Sequence, residues 1–398
     1  MKTEIADNQL FLKNMSFIKK SVTTLFCAFF AISSYANQEN HENAHKSEAV
    51  ESHEVDAHES HASVSESHGH EGHADAQEGH EGNGKFAPGK MITEHIADAH
   101  DWHMWGKGHS AVTIPLPVIL YTKSNGIQIF SSSKFEHGHA SFLGYRLNEG
   151  GHIVWEDSSN TEKIYDFSFT KNVLAMLLAV LALCIIVIGM ARTYAKRKGK
   201  APQGLHNLIE PLILFIRDDM AVPLIGKKSD KFMPLLLTIF FFIFMNNIFG
   251  LIPIFPGGAN VTGNISVTLV LALVVFITVN LNGNKYYWKH IFMPDVPVWM
   301  YVIIIPIEIL GVILKPFVLM LRLFANITAG HIIILGFFSL IFIFGAMDAK
   351  IGYMVSPLSV AFTVFMGMLE MLVAFLQAFV FTLLTVIYIG MAVEEHHH

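Results

Sequence analysis

Two apolar runs at the end of the sequence restrict the fold of this chain more than any other feature. They extend from Val296 to Met347 and from Ile351 to Val393, and a short polar turn at Asp348 to Lys350 separates them. Each run is far longer than the ~20 residues that cross a bilayer upright. We therefore predict a long helical hairpin whose helices tilt strongly in the membrane or lie partly at its interface.

Three further segments before this hairpin have a membrane pattern. Val173 to Ala191 carries no charge, and the basic cluster that follows it, Arg192 to Lys200, belongs in the cytoplasm. Leu205 to Ile225 has apolar residues at helical spacing with charges between them, which predicts an amphipathic helix along the cytoplasmic surface. Phe232 to Asn284 has no charged residue, and Pro253 to Gly258 divides it into a transmembrane hairpin.

Composition agrees with this assignment. The chain of 398 residues is 52% hydrophobic and 15% charged, with a mean hydropathy of +0.43, and such values are typical of a polytopic membrane protein. The acids crowd into the first hundred residues, so the net charge of -6 gives no reason to expect a nucleic-acid partner. We predict an all-α polytopic membrane protein with about five transmembrane helices, a long tilted C-terminal helical hairpin and a small β-containing extracytoplasmic N-terminal region.

The N-terminus resembles a secretory signal. Two lysines precede the apolar run from Ser21 to Ser33, and a small-x-small pattern ends at Ala36. We predict a signal peptide over residues 1–36, with translation starting at Met1 or Met15, and a retained anchor as the alternative. A cleaved signal leaves the N-terminus extracytoplasmic, so five passages through the membrane would leave the C-terminus in the cytoplasm.

Residues 37–91 are rich in histidine and acids. Asn37 to Gly84 alone contains nine His, twelve acids and one Lys. Because it has few large apolar residues, this segment cannot offset its chain entropy by burial and should be disordered. We interpret it as a solvated acidic tail, and a metal or proton buffer is the alternative. A zinc-handling membrane protein is a functional hypothesis that rests on this segment alone.

Residues 92–167 mix aromatic and β-branched runs with Gly and Asn turns. The runs are Ala111 to Tyr121, Ile127 to Phe130 and His152 to Trp155, and they predict a small extracytoplasmic β domain. Four histidines in it lie near two tryptophans, but their spacing is not that of regular metal ligands, so we assign no metal site. These histidines are His95, His100, His103 and His109.

Ionisable residues inside the apolar runs are the candidate functional groups, because an intramembrane charge is costly. Val296 to Met347 contains Glu308, Lys315, Arg322 and His331. The first three are seven residues apart and therefore share one helical face. Satisfied contacts between helices are the structural alternative. A polar stripe of this kind requires a wet or protein-lined neighbour.

Arg322 is the strongest single candidate. A guanidinium keeps its proton in proteins, so it is a fixed positive charge even at membrane depth. It can lower the proton affinity of a carboxylate brought opposite it, and it can block a direct proton leak between two water-filled inlets. Asn326, one helical turn later, faces the same way and can bind the same visiting group.

Three other polar residues form a second candidate group. His331 follows Arg322 by nine residues, which places it on the opposite side of the helix, where it acts as a proton relay or as a structural hydrogen-bonding group. Glu370 is the sole acid between Ile351 and Val393, and Gln377 lies on its face of the helix. A buried glutamate can hold and release a proton near neutral pH, so we expect Glu370 to pair with His331 across the hairpin.

The stretch from Leu314 to His331, LKPFVLMLRLFANITAGH, resembles the signature of ATP synthase subunit a. Leu376 to Tyr388 and Asn246 to Pro253 resemble the C-terminal helix and an earlier hairpin of the same family. The resemblance covers about Asn172 to Glu395. It implies a membrane proton-channel domain over residues 168–398, with no cofactor and no nucleotide site of its own.

The resemblance also implies roles for individual residues. Arg322 takes the position of the essential arginine that faces a carboxylate of the rotating c-ring, and Gln377 that of the glutamine beside it. His331 and Glu370 take positions that some members fill in the reverse order, as glutamate and histidine. Glu308 and Asn264 fall on polar positions of the half-channels, although several members have an acid at the position of Asn264.

The implied function is the stator a subunit of a rotary F-type ATP synthase in a bacterial inner membrane. Its implied partners are the c-subunit ring, the b-subunit peripheral stalk, the remaining synthase subunits and the lipid membrane. An independent ion channel or secondary transporter is the alternative. Transporters commonly contain two similar halves, and no internal repeat is evident in this sequence.

Overall fold

The fold is taken from a computed structural model, which describes residues 88–105, 112–138, 140–148, 150–157, 159–196, 204, 206–252, 255, 257–294 and 296–394. The predicted signal peptide, all of the His-rich segment before residue 88, His109 and His396 to His398 lie outside these residues.

The first described part, residues 88–170, is a small β domain that begins with helix α1 (Pro88–Ile96). Its strands form a three-stranded antiparallel sheet in the order β4-β3-β7 and two hairpins, β1-β2 and β5-β6. The prediction of a β-containing N-terminal region is thereby confirmed. The strands are β1 (Asp101–Trp105), β2 (Val112–Pro115), β3 (Pro117–Thr122), β4 (Gly126–Ser131), β5 (Tyr145–Leu147), β6 (Ile153–Trp155) and β7 (Tyr165–Asp166).

Alternation along the central strand forms the core of this domain. In β3, Val118 and Leu120 are fully buried while their neighbours are more exposed, because successive side chains of a strand point to opposite faces. They pack in one cluster with Phe135, Tyr145 and Ile153. The three runs expected to form strands all contain strands, so the aromatic and β-branched runs located the strands correctly.

The remaining residues are almost entirely helical. The principal helices are α2 (Lys171–Lys196), α3 (His206–Leu214), α4 (Val222–Ile225), α5 (Ser229–Leu251), α6 (Ile265–Leu281), α7 (Lys285–Phe292), α8 (Tyr301–Met347) and α9 (Ala349–Val393). A π-helical turn, Phe215–Ala221, joins α3 to α4, and a 3-10 turn, Gly226–Lys228, joins α4 to α5. The helix expected over Leu205 to Ile225 therefore continues into the next one, and Asn207–Leu251 is one apolar helical stretch.

In the described part of the chain, four helical stretches are long and apolar enough to cross a membrane, and five if the bent pair of α6 and α7 is one span. The axes of α6 and α7 meet at 101°. These numbers agree with the expectation of an all-α polytopic protein with about five transmembrane helices. The expected hairpin within Phe232 to Asn284 consists of α5 and α6, with Ile252 to Asn264 between them.

The predicted C-terminal hairpin is formed by α8 and α9, which contain 47 and 45 residues. Its turn is a single residue with extended backbone, Asp348, whose carboxylate accepts a hydrogen bond of 2.9 Å from the Lys350 backbone N–H. Asp348 thus ends one helix and caps the next. At ~1.5 Å per residue α8 is about 70 Å long, more than twice the ~30 Å hydrocarbon core of a bilayer, so the expected mismatch in length is present.

The β domain packs directly on the helices. Trp102 of β1 is buried in the same apolar cluster as residues of α2, α5, α6, α8 and α9, and its ring contacts that of Phe255 edge to face, with centroids 5.1 Å apart. Helix α1 contacts α8. The two parts of the chain therefore share one interface.

Candidate functional site

His331 and Glu370 meet across the C-terminal hairpin. The Nε2 atom of His331 in α8 lies 3.8 Å from Oε1 of Glu370 in α9, and the exposed fractions of the two side chains are 16% and 4%. The sequence predicted this pair from the complementary acid and imidazole groups and from the short turn that joins the two helices. An imidazole and a carboxylate this close need only a small approach to reach the ~2.6–3.2 Å at which a proton transfers.

One glycine allows this approach, and a second lies beside it. A Cβ atom on Gly330 would lie 2.7 Å from Oε1 of Glu370, and one on Gly250 of α5 would lie 3.7 Å from Nε2 of His331. A side chain at Gly330 would occupy the position of the carboxylate. Sequence reasoning did not identify either residue, because a glycine within an apolar helix carries no distinctive pattern.

Asn247 connects three elements beside this pair. Its Nδ2 atom donates a hydrogen bond of 3.1 Å to the Ala374 carbonyl of α9, and its Oδ1 atom accepts one of 2.5 Å from the Thr262 hydroxyl. Asn247 and Thr262 are both almost fully buried. The amide thus holds α5, α9 and the segment before α6 together. The resemblance of Asn246 to Pro253 to the family had included Asn247 but had given it no role.

A series of buried polar atoms continues from the pair into the helices. Among the described residues, eight side chains contain buried atoms without a hydrogen-bond partner, and five of them lie in α5, in α9 or in the segment between α5 and α6: Asn246, Asn260, Glu370, Gln377 and Thr382. Burying a polar atom in an apolar region without a partner costs free energy, and such groups are commonly satisfied by water. Buried atoms of this kind are those that water in a polar path would satisfy. Gln377 is 8% exposed.

Arg322 and Asn326 lie on the other side of α8. Both are exposed, whereas the residue that follows each of them, Leu323 and Ile327, is buried. Nine residues make two and a half helical turns, so Arg322 and His331 lie on opposite sides of α8 and face different neighbours. The fixed cation lies on the open face of the hairpin, within electrostatic reach of the Tyr388 hydroxyl.

Glu308 belongs to a separate polar region. Its Oε2 atom lies 3.9 Å from Nδ1 of His290 in α7, and its charge also acts on Lys315, whose Nζ atom lies 5.6 Å from the centre of the Tyr388 ring. A small pocket between α6, α7, α8 and α9 is lined by several polar side chains: Asn280, Tyr287, Lys315 and Tyr388. The hairpin thus carries two polar regions, and this one does not contain His331 or Glu370.

Asn264 caps a helix. Its Oδ1 atom accepts a hydrogen bond of 2.9 Å from the Ser266 backbone N–H at the start of α6, and the side chain is partly exposed. An asparagine is well suited to this position because its amide oxygen satisfies an unpaired N–H of the first turn. Asn260, four residues earlier, has the buried amide with unpaired atoms.

The histidines of the β domain do not assemble a metal site in the described residues, where no group of three or more His, Cys, Asp or Glu is arranged to bind a metal ion. His100 instead forms a buried pair with Asp166, with Nε2 2.9 Å from Oδ2. Burial lowers the pKa of His100, but the hydrogen bond and charge of Asp166 outweigh it, so the pKa is raised above 6.5. The side chain of His103 and all of His109 lie outside the described residues.

The fold and the site define a class: polytopic membrane proteins that carry paired ionisable groups and a fixed cation within the bilayer for ion transfer. Residues 173–390, more than half of the chain, match the family model described as ATP synthase A chain. The chain belongs to this family. Residues 91–173, which include most of the β domain, match a model described as a domain of unknown function.

Curated relatives agree with this assignment. ATP synthase subunit a of Chloroherpeton thalassium is 44% identical over 240 residues, which are 59% of this chain and 69% of that protein. The protein of the same name from Chlorobium phaeobacteroides (strain BS1) is 43% identical over 242 residues, with 59% and 68% covered. That of Anaeromyxobacter dehalogenans is 35% identical over 319 residues, 78% of each chain.

Family membership confirms the resemblance that the stretch Leu314 to His331 indicated. It also confirms the general function that this resemblance implied. The chain is a multi-pass inner-membrane protein and the membrane stator subunit through which an ATP synthase translocates protons, a subunit without a catalytic site of its own. This family membership counts against the alternative of an independent ion channel or secondary transporter.

Proposed function

We propose that this chain forms two aqueous half-channels that pass protons to and from the carboxylates of a c-subunit ring, and so couples proton translocation to ATP synthesis. The observation that carries the proposal is the division of α8: the His331–Glu370 pair is enclosed on one side of the helix, and Arg322 is exposed on the other.

The inlet half-channel contains the His331–Glu370 pair. The buried polar atoms of Asn246, Asn260 and Gln377, which have no hydrogen-bond partner among the described residues, extend this polar path. Protons enter it from the extracytoplasmic side and reach the ring carboxylate by way of imidazole and carboxylate. Asn264 remains a member of this path in the proposal, although its amide oxygen caps α6.

The outlet half-channel contains Glu308. Its neighbours are His290 and Lys315, and the pocket beside them is lined by Asn280, Tyr287 and Tyr388. A ring carboxylate that arrives here gives its proton to this polar region, which opens to the cytoplasm. The orientation follows from the predicted extracytoplasmic N-terminus and cytoplasmic C-terminus.

Arg322 separates the two paths. Because its positive charge is permanent, it stabilises the ionised form of a ring carboxylate and prevents protons from crossing directly between the half-channels. Asn326 lies beside it on the exposed face and hydrogen-bonds the same carboxylate. The proposed partners are the c-ring on this face, the b-subunit peripheral stalk and the remaining synthase subunits.

The first experiment measures ATP-driven proton pumping in inverted vesicles that carry the whole synthase with Arg322→Ala, Arg322→Gln or Arg322→Lys. We expect pumping to be abolished in all three while the complex assembles. Lys350→Ala removes an exposed cation from the end of the same hairpin and is the matched control, which we expect to pump normally. Coupled pumping at the normal rate with Gln at position 322 would overturn the proposal.

A second experiment tests the position of the ring. A cysteine in place of exposed Asn326 should form a disulfide with a cysteine placed beside the ring carboxylate. A cysteine in place of Ile327, which is 4% exposed, is the adjacent control and should not. Equal cross-linking at both positions, or none at position 326, would show that this face of α8 does not meet the ring.

A further inference from the structure

The β domain is attached to the helix bundle through helix α1 and the start of α2. Helix α1 packs on α8, the helix that carries His331. The Nζ atom of Lys171, the first residue of α2, donates a hydrogen bond of 3.2 Å to the carbonyl of His95 near the end of α1. Lys171 is only 8% exposed, so this interface encloses a cation.

The attachment is reinforced by the backbone around it. The Lys171 backbone N–H donates a hydrogen bond of 2.8 Å to the Ala99 carbonyl. The Asp98 carboxylate accepts one of 3.0 Å from the Asn172 backbone N–H. The charges of Asp98 and Asp101 both act on Lys171. Lys171 therefore has both hydrogen-bonding and electrostatic partners at this interface.

The same interface reaches the proton pair. The charges of His95 and Lys171 both act on the His331 imidazole, and Glu370 of α9 lies 3.8 Å from it. A Cβ atom on Gly250 of α5 would lie 3.7 Å from its Nε2 atom. His95 is exposed, and Asn172 has a buried amide oxygen without a partner among the described residues. The attachment of the β domain therefore carries several polar groups.

The contact beside this interface is apolar. Trp102 is 3% exposed and packs against Phe255 in the segment between α5 and α6. Because a buried aromatic contact excludes water, we expect water that enters this interface to follow the polar groups of α1 and α2 and not Trp102.

We propose that the β domain forms the outer wall of the proton inlet, with His95 at its mouth and Lys171 positioned between that mouth and the His331–Glu370 pair. Protons pass along the polar seam between α1 and the start of α2. Lys171 is a positioning residue: it ties α1 to the bundle and contributes a positive charge at His331. This inference rests on the proposed function, since it extends the inlet half-channel outward.

The test places a cysteine at the mouth. His95→Cys is made in a chain whose cysteines, Cys27 and Cys184, are replaced by serine. Intact cells are treated with membrane-impermeant methanethiosulfonate reagents of equal size, one cationic and one anionic. Inverted vesicles are then prepared, and ATP-driven proton pumping by the whole synthase is measured. Ile129→Cys, on β4 and 69% exposed, is the control position. Comparing each variant before and after modification removes effects on folding.

We expect the cationic adduct at position 95 to lower pumping several-fold more than the anionic adduct, because an added positive charge opposes a proton near His331. Neither adduct at position 129 should change the rate. Equal effects of the two adducts at position 95 would indicate a structural role only, and no effect would exclude the domain from the inlet. Both results overturn the inference.

The result is distinguishable from failure of the proposed function. If Arg322→Ala still pumps, the half-channel proposal fails at its centre. If Arg322 is required but position 95 responds as position 129 does, only the assignment of the β domain is wrong.

Discussion

The carboxylate of Glu370 lies directly against the backbone of Gly330, where a Cβ atom would come within 2.7 Å of Oε1. Gly330 precedes His331 in α8, so the same helical turn supplies the imidazole and the space for the carboxylate. The distance between the two ionisable groups therefore depends on a residue without a side chain.

Gly330→Ala should lower ATP-driven proton pumping by about tenfold while the synthase still assembles. The added methyl group must displace Glu370 or separate α8 from α9, and overpacking of this kind costs about 1–3 kcal/mol. Gly336→Ala is the matched control on the same helix, because a Cβ atom there meets nothing within 4 Å. Equal pumping by the two variants would contradict the assignment.

Exchanging the two residues of the pair should preserve function better than changing either one. His331→Glu alone places two acids together and Glu370→His alone places two imidazoles together, and we expect each to lose most pumping. The double variant restores one acid and one imidazole within the same 3.8 Å contact and should recover a substantial part of the activity. A double variant no better than the single variants would mean that the pair does not act as a unit.

Asn247→Leu should destabilise the membrane domain by about 1–3 kcal/mol, because the Thr262 hydroxyl and the Ala374 carbonyl lose their buried partner. Thermal unfolding of the detergent-purified synthase, followed by loss of the subunit from the complex, measures the change. Asn246→Leu is the comparison, because the Asn246 Nδ2 atom donates its hydrogen bond of 2.8 Å to the Phe242 carbonyl of its own helix. The destabilisation caused by Asn246→Leu should be smaller. The reverse order would count against a bridging role for Asn247.

The His100–Asp166 pair should make the stability of the β domain depend on pH. The raised pKa of His100 means that its contribution is complete below the ordinary value of 6.5 and is lost as pH rises through the folded-state pKa. Burial raises the pKa of Asp166, but His100 and Ser168 outweigh this effect and lower it below 3.8, so its contribution is lost only as pH falls through that lowered pKa. Resistance of the domain to proteolysis in membranes should therefore be greatest between these limits.

Asp166→Asn should remove the decline above pH 6.5 and destabilise the domain by about 3 kcal/mol, the cost typical of breaking a buried ion pair. Asp157→Asn, at an exposed carboxylate, should leave this alkaline decline unchanged. An unaltered decline in Asp166→Asn would show that another group causes it.

Periodicity and charge predicted much of the architecture. The apolar runs located α2, the α5–α6 hairpin and the two long helices, and the helical period separated Arg322 from His331. Glu370 and Gln377, seven residues apart, are both buried, as residues on one helical face can be. These features depend on local spacing, which the sequence contains directly.

Contacts between distant segments could not be predicted in the same way. The approach of His95 and Lys171 to His331 depends on how the β domain folds and docks, and neither residue belongs to an apolar or catalytic pattern. Gly330 leaves space for the Glu370 carboxylate of another helix. The Asn247 amide bonds groups outside its own helix. Only the packed structure identifies that neighbour.

The join between the two long helices is unusually tight. A Cβ atom on Gly352 would lie 2.7 Å from the Cα atom of Gly345, the Ser359 hydroxyl donates a hydrogen bond to the Phe337 carbonyl, and Asp348 alone forms the turn. Close backbone contact and a minimal turn leave the joint little freedom to bend. In the proposed function a ring turns against this subunit, and we expect a rigid joint of this kind to keep the charged residues farther along the hairpin aligned under that load.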